Sequence, residues 1–225
     1  MAKESDQRTV SVYFYIPNII GYIRVVMNIV AFSICFSNKL LFAILYFISF
    51  ACDALDGWFA RKFNQVSTFG AVLDMITDRV STACLLMILS QLYRPGLVFM
   101  SLLGLDIASH WLQMYSTFLS GQASHKDVKD KSNLLLRAYY KHRPFMAFCC
   151  VGSEVLYIIL FLLHEHPSGS IIDVCVNAVR SNIVLAVPLF LSAFGCAIKQ
   201  AVNVIQMMTA ADVCVLYDME REKKQ

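Results

Sequence analysis

Long apolar runs separated by short polar segments set the character of this chain. Six stretches, roughly 17–36, 39–63, 69–92, 95–119, 144–164 and 182–207, are rich enough in apolar residues to read as helices. At about 1.5 Å of rise per residue each can cross a hydrocarbon core about 30 Å thick. The pattern therefore predicts an all-α, polytopic membrane protein, a bundle of six transmembrane helices in one domain covering 1–225. Pro17, Pro95 and Pro144 open the first, fourth and fifth spans, where a missing N–H costs nothing. Pro188 falls inside the sixth and predicts a kink. The longest polar connection is about 120–143, and 208–225 reads as a polar tail.

Composition agrees with that reading. Hydrophobic residues make up 58% and charged residues 16%, and mean hydropathy is +0.59; soluble domains are nearer half apolar and a quarter charged. Of eight cysteines, Cys35, Cys52, Cys84, Cys149, Cys150, Cys196 and Cys214 lie singly or adjacent in apolar stretches with no CxxC pair. They read as small buried hydrophobes, not as a disulfide framework or a zinc site. The first sixteen residues, with Lys3, Glu4, Asp6 and Arg8, do not have the form of a cleavable signal peptide.

The net charge of +3 matters through its distribution. With the N-terminus in the cytoplasm, that side receives Lys3, Arg8, Arg61, Lys62, Lys126, Lys129, Lys131, Arg137, Lys141, Arg143, Arg221, Lys223 and Lys224. The opposite side receives only Lys39, Arg94 and Arg180. Thirteen basic residues against three set the orientation by the positive-inside rule. Arg24, Arg79 and Lys199 fall within the spans.

The decisive feature is a group of acids in apolar surroundings. Asp53 and Asp56 lie late in the second span, and Asp74 and Asp78 early in the third, where each charge costs roughly 2.5–3.5 kcal/mol on insertion scales. Spacings of three and four residues put each pair on one helix face. The short link 64–68 makes the two helices a hairpin, with all four carboxylates facing one cleft open to the cytoplasm. Four like charges so close cannot all stay ionised unaided. Divalent cations resolve the conflict, and an oxygen-only donor set favours Mg²⁺ or Mn²⁺ over zinc. Four carboxylates suit two such ions, the arrangement that serves phosphoryl displacement. Gly57 and Ala60 share the arc of Asp53 and Asp56, so a pyrophosphate can approach the backbone closely there. Arg61 offers a fork of donors for phosphate oxygens. Pairing of the acids with Arg61, Lys62 and Arg79 is an alternative that suits one acid near a membrane boundary; it does not account for four in register with two small residues and an arginine.

Residues 53–78 read D-A-L-D-G-W-F-A-R, eight further residues, then G-A-V-L-D-M-I-T-D. They match the signature D-x2-D-G-x2-A-R-x8-G-x3-D-x3-D at every fixed position, and on this basis the chain is identified as resembling the CDP-alcohol phosphatidyltransferase family. The resemblance implies six membrane helices and a two-metal site formed by Asp53, Asp56, Asp74 and Asp78. It implies nucleotide contacts by Gly57 and Arg61, a CDP-lipid contact by Ser67, and Asp78 as the base that deprotonates the acceptor hydroxyl. The segments Y-I-P-N-I-I-G-Y-I-R (15–24), N-Q-V-S-T-F-G-A-V-L-D (64–74), L-D-I-A-S-H-W (105–111) and S-H-K (124–126) are similar to the inositol-using eukaryotic branch of that family, its plant members most closely. That branch implies CDP-diacylglycerol as donor, myo-inositol as acceptor, the endoplasmic reticulum membrane as location, and a membrane-lipid environment with no nucleic-acid partner; a homodimer is compatible with it. One departure is visible. Many members carry Asn-x-x-Thr in the first helix, whereas here Asn18 is followed by Gly21, which leaves Asn18 as a nucleotide contact and residue 21 without a role.

Further polar residues lie in the apolar segments. Asp106, Ser109 and His110 form a cluster in the fourth span, with Ser109 and His110 candidates for acceptor binding; interhelical hydrogen bonding is the alternative. Arg24 and Glu154 read as structural partners. His164 and His166 flank Glu165, but alternate residues on a helix point apart, which argues against a metal site there. The end Arg221 to Gln225 reads as a solvated charged tail. By the motif alone, serine or glycerol phosphate remain open as acceptors, and by the acids alone so does an ion-coupled transporter; Gly57, Ala60, Arg61 and Gly70 in register with the acids favour the transferase.

Overall fold

The structure, a computed structural model, describes residues 11–119, 134–164 and 169–223. The segment 124–126, most of the polar connection and His166 lie outside the described residues. The described chain is all-α apart from one two-residue parallel pairing, and its contacts divide it into two units, Met1–Cys84 and Leu85–Gln225.

The first unit contains α1 (Ile16–Ile34), α2 (Lys39–Lys62) and the opening of α3 (Thr68–Leu92). Pro17 sits in the first turn of α1, as its sequence position predicts. Asn38 caps α2, its side chain accepting from the Leu41 amide at 3.0 Å. Arg61 and Lys62 occupy the last turn of α2, where positive charge complements the helix dipole. α1 packs along α2. The buried face of α1 carries Asn18, Gly21, Arg24 and Ala31, so an arginine and an asparagine are placed where a soluble core would hold apolar residues.

The second unit contains the remainder of α3, β1 (Tyr93–Arg94), α4 (Leu97–Leu119), α5 (Leu134–Lys141), α6 (Arg143–Leu163), β2 (Gly169–Ser170), α7 (Ile171–Ser181), a 3-10 turn (Ile183–Leu185) and α8 (Ala186–Glu222). Both α4 and α6 pack on α8. Gly152 and Gly195 let α6 and α8 approach: a Cβ on Gly152 would lie 3.3 Å from the Gly195 Cα, and one on Gly195 would lie 3.3 Å from the Phe148 carbonyl oxygen. Small residues at a crossing are how membrane helices gain close packing without a hydrophobic driving force. Leu136, Tyr139, Cys149 and Val202 form a buried cluster that seats α5.

Among the described residues five stretches are long and apolar enough to cross a membrane: Ile16–Ile34, Lys39–Lys62, Leu97–Leu119, Arg143–Leu163 and Ile183–Glu222. Helix α3, with 25 residues, coincides with the expected third span but is not one of these five; Asp74, Asp78 and Arg79 lie in its first half. Other expectations need correction. Pro95 precedes α4 instead of opening it, and Pro188 lies in the first turn of α8, where its missing N–H leaves no intrahelical bond unmade. The expected tail continues α8 to Glu222, since its Met, Glu and Arg residues are good helix formers. Two short helices, α5 and α7, stand where the sequence suggests connections. All eight cysteines are free, as expected.

Candidate metal and nucleotide site

The hairpin between α2 and α3 is built by two residues of its link. Asn64 adopts a left-handed backbone, φ 53°, which asparagine tolerates better than most residues. With it the Gln65 amide returns to the Ala60 carbonyl at 2.9 Å, closing the end of α2. Ser67 then caps α3, its Oγ accepting from the Gly70 amide at 3.0 Å. The expected lipid-contact residue thus also has a structural duty. These two closures set the register in which the acids of α2 and α3 meet.

They meet around Arg24 of α1. Nη1 of Arg24 lies 2.9 Å from Asp53 Oδ1, 2.9 Å from Asp56 Oδ2 and 2.8 Å from Asp74 Oδ1, and Nη2 lies 2.5 Å from Asp78 Oδ1. The structure therefore brings all four sequence-predicted aspartates together. Arg24, expected as a structural partner of Glu154, has these four acids around it. Arg79 adds a longer contact, 3.8 Å from Asp78 Oδ2. The cluster is graded in depth: Arg24 is 2% exposed and the Asp56 side chain 11%, while the Asp74 side chain is 43% exposed. The Asp74 edge of the cluster is its exposed one.

The donor set fits a hard divalent cation. Asp53, Asp56 and Asp74 each present a carboxylate oxygen, and these oxygens lie within 4.8 Å of one another. Two positive charges, Arg24 and the more distant Arg79, against four negative leave the cluster formally at −2, a charge that a bound divalent cation would offset.

The small residues of the motif lie where the sequence places them. The guanidinium of Arg61 folds back over Gly57, so that a Cβ there would lie 3.4 Å from Nη1. Lys62, one residue on, holds its ammonium 4.3 Å over the Trp58 ring instead of joining the acids. Asn18 Nδ2 donates to the Val12 carbonyl at 2.7 Å, and its Oδ1 is buried with no hydrogen-bond donor among the described residues. That oxygen lies against Gly70, where a Cβ would approach it to 2.6 Å and Ser67 Oγ to 3.0 Å. Asn18, Ser67 and Gly70 thus form a compact polar corner of the first unit. Gly21, without a role in the sequence reading, packs against α3: a Cβ there would lie 2.8 Å from the tip of the Leu73 side chain, which would have to shift.

Ser109 and His110 lie in the second unit, on α4. Ser109 is fully buried, and its Oγ donates to the Asp106 carbonyl at 3.1 Å. His110 Nδ1 lies 2.8 Å from the same carbonyl and 3.7 Å from Asp106 Oδ1. His164 is buried with its ring edge-on to Tyr93, centroids 5.1 Å apart.

Arg24 is the residue whose role the sequence reading missed. The signal was present: a lone arginine in an apolar span requires acids nearby, and only one group of acids was large enough to need it.

Comparison with known proteins agrees with the geometry. Residues 14–216 match the CDP-alcohol phosphatidyltransferase family. A probable CDP-diacylglycerol–inositol 3-phosphatidyltransferase 2 of Arabidopsis thaliana is 66% identical over 224 residues, covering 100% of this chain and 99% of the relative. The CDP-diacylglycerol–inositol 3-phosphatidyltransferase 1 of the same organism is 64% identical over 226 residues, with 100% of both chains covered. The human CDP-diacylglycerol–inositol 3-phosphatidyltransferase is 38% identical over 217 residues, 95% of this chain and 98% of the relative. No solved structure matches the chain. A match over most of the chain, which includes the four aspartates that converge in space, makes the protein a member of the CDP-alcohol phosphatidyltransferase family.

Proposed function

We propose that this protein is a transferase that moves the phosphatidyl group of CDP-diacylglycerol to myo-inositol, forming phosphatidylinositol and releasing CMP. The observation that carries the reading is the full-length likeness, 66% and 64%, to two plant enzymes named for that reaction. The four converging aspartates supply its chemistry.

In this reading Asp53, Asp56, Asp74 and Asp78 hold two divalent cations, Mg²⁺ or Mn²⁺. Bound there, the cations stabilise charge on the phosphate under attack and on the departing CMP. Gly57 adds no side chain beneath the Arg61 guanidinium that folds over it, Arg61 donates to phosphate oxygens of the pyrophosphate, and Asn18 and Ser67 contact the donor. Asp78 takes the proton of the inositol hydroxyl as its oxygen bonds to the lipid-bearing phosphorus; the bond from that phosphorus to the CMP oxygen breaks, and CMP leaves with the electron pair. An alcohol is a poor nucleophile at neutral pH, so a base within reach is worth about 10²–10⁴-fold. Helix α3 serves as a sixth membrane crossing in one catalytic domain. The acids then open to the cytoplasm from an endoplasmic reticulum membrane, where the lipid donor arrives laterally and inositol from the cytosol.

The test is direct. Protein purified in detergent, given CDP-diacylglycerol, divalent cation and myo-inositol, releases CMP and forms phosphatidylinositol, and chelator abolishes both. Turnover with serine or glycerol phosphate but not inositol would overturn the acceptor. A cysteine placed in 122–133, in a chain whose native cysteines are replaced, reacts with an impermeant reagent from the cytoplasmic side; reaction from the lumen alone reverses the orientation.

A further inference from the structure

We infer that Arg24 is the resident counter-ion of the metal-free aspartate cluster, that it competes with divalent cations for the same carboxylate oxygens, and that it thereby sets how tightly the site takes up metal. The inference rests on the proposed metal role of the four aspartates and goes beyond it, because Arg24 lies outside the 53–78 signature, on a different helix.

Three observations carry it. The first is position. Nη1 of Arg24 is within 2.9 Å of oxygens from Asp53, Asp56 and Asp74 at once, and those are the three acids whose oxygens gather closely enough to ligate one ion. A cation entering between them meets Nη1 in its place, so the guanidinium has to move for the ion to be ligated. The second is charge. With Arg24 inside and Arg79 at the edge, four carboxylates and two guanidiniums leave −2, which keeps the acids together without satisfying them; two divalent ions would balance the four carboxylates by themselves, and the Arg24 guanidinium then becomes an excess positive charge in a site already neutralised. Placement and charge therefore act in the same direction. The third is the cost accepted in holding the guanidinium there. Arg24 is 2% exposed, and its Nε–H is buried with no acceptor among the described residues. Nη1 has two hydrogens for three carboxylates: it donates to Asp56 and Asp74, while Asp53 Oδ1, 2.9 Å away, is paired by charge without a hydrogen bond. Ser49 Oγ donates to the Arg24 carbonyl at 3.4 Å and so contacts its backbone, not the guanidinium.

A purely structural strut between α1, α2 and α3 makes a different prediction. Removing a strut loosens the acids and weakens metal binding, whereas removing a competitor tightens it. The full chain in detergent, stripped with chelator, is titrated with Mn²⁺ by calorimetry and by thermal unfolding as wild type, Arg24→Gln and Arg24→Lys. Expected for Arg24→Gln is a lower melting temperature in chelator, a larger rise on adding Mn²⁺, and a Mn²⁺ midpoint tightened about tenfold. Arg24→Lys keeps a charge but not the fork that spans four acids, and falls between the two; it carries the measurement if Arg24→Gln does not survive the chelator. A Mn²⁺ midpoint unchanged or weakened in the surviving variant overturns the competition. A wild type that binds no Mn²⁺ at all overturns the metal reading itself and this inference with it, an outcome distinct from the first because it needs no variant.

Discussion

The two units bury polar groups in opposite ways. In Met1–Cys84 the buried charge is gathered at one point, where Arg24 faces Asp53, Asp56, Asp74 and Asp78 within 2.9 Å. In Leu85–Gln225 buried polar and charged residues are spread along three helices: Asp106, Ser109 and Ser116 on α4, Ser153 and Glu154 on α6, Ser192, Lys199 and Asn203 on α8. Many of the second group bond to their own helix, as Ser109 does to Asp106, Ser116 to Gln113 and Ser153 to Cys149, each through a carbonyl three or four residues back. Self-bonded serines carry little unmet demand into the apolar region and tolerate loss. Like charges gathered at one point are costly to hold and have no stabilising rationale of their own, so their presence points to chemistry. On the proposed function, the difference separates the catalytic site from interhelical packing.

The sharpest test of that contrast is on the acids. Asp78→Asn is expected to reduce turnover about 10²–10⁴-fold, the worth of a general base, while keeping much of its binding of CDP-diacylglycerol. Asp53→Asn is expected to lose metal-dependent nucleotide binding as well. Calorimetric titration of both variants with CDP-diacylglycerol and Mn²⁺ separates them: equal loss of binding in the two removes the distinct role of Asp78, as does near-normal catalysis by Asp78→Asn.

A smaller effect is expected at the polar corner of the first unit. In Gly70→Ala the new methyl would lie 2.6 Å from Asn18 Oδ1 and 3.0 Å from Ser67 Oγ, so both side chains must shift. If Asn18 and Ser67 touch the donor, displacement by a few tenths of an ångström or more should lower kcat/KM for CDP-diacylglycerol about tenfold with little change in melting temperature. An unaltered kcat/KM would leave these two residues as helix-end groups only.

In the second unit the expected response is reversed, stability before chemistry. Gly152→Leu drives a side chain into the backbone of α8 at Gly195 and Ser192, and overpacking of this kind costs about 1–3 kcal/mol. The melting temperature should fall clearly, with residual activity per folded molecule near that of wild type. A variant that melts normally but has lost turnover would place chemistry where the contrast assigns packing.

How far the sequence carried this picture varied by element. The α2–α3 hairpin and its acids were legible because helix periodicity alone puts residues three and four apart on one face, and the link is too short to let the faces diverge. Arg24 was not, because its partners, Asp53 to Asp78, lie 29 to 54 residues away and no local pattern joins them. The helices α5 and α7 fall in short, polar-flanked segments where propensity is a weak guide. The extension of α8 was hidden by the reasonable assumption that a helix ends where its apolar run ends; a helix leaving a membrane needs only good helix formers and solvent to continue.

The smallest expected effect, and the one that decides whether the second unit takes any part in recognition, is at α4. Ser109 and His110 are candidates for acceptor binding, yet Ser109 Oγ and His110 Nδ1 both lie within hydrogen-bond distance of the Asp106 carbonyl, 3.1 and 2.8 Å away. A hydroxyl bonded to its own helix contributes about 1 kcal/mol or less when replaced together with its space by a methyl, so packing alone predicts that Ser109→Ala changes melting temperature and kinetics only slightly. Acceptor binding predicts something different in kind. A polyol hydroxyl held by Ser109 or His110 in a site that excludes water would raise KM for inositol about five- to tenfold on removal, at roughly 1–1.4 kcal/mol per hydrogen bond, with KM for CDP-diacylglycerol unchanged. Inositol saturation curves for Ser109→Ala and His110→Gln at fixed CDP-diacylglycerol therefore distinguish the two. A rise confined to inositol KM admits α4 to the site; unchanged curves leave the fourth span to packing, and with it the whole polar stripe from Asp106 to Ser116.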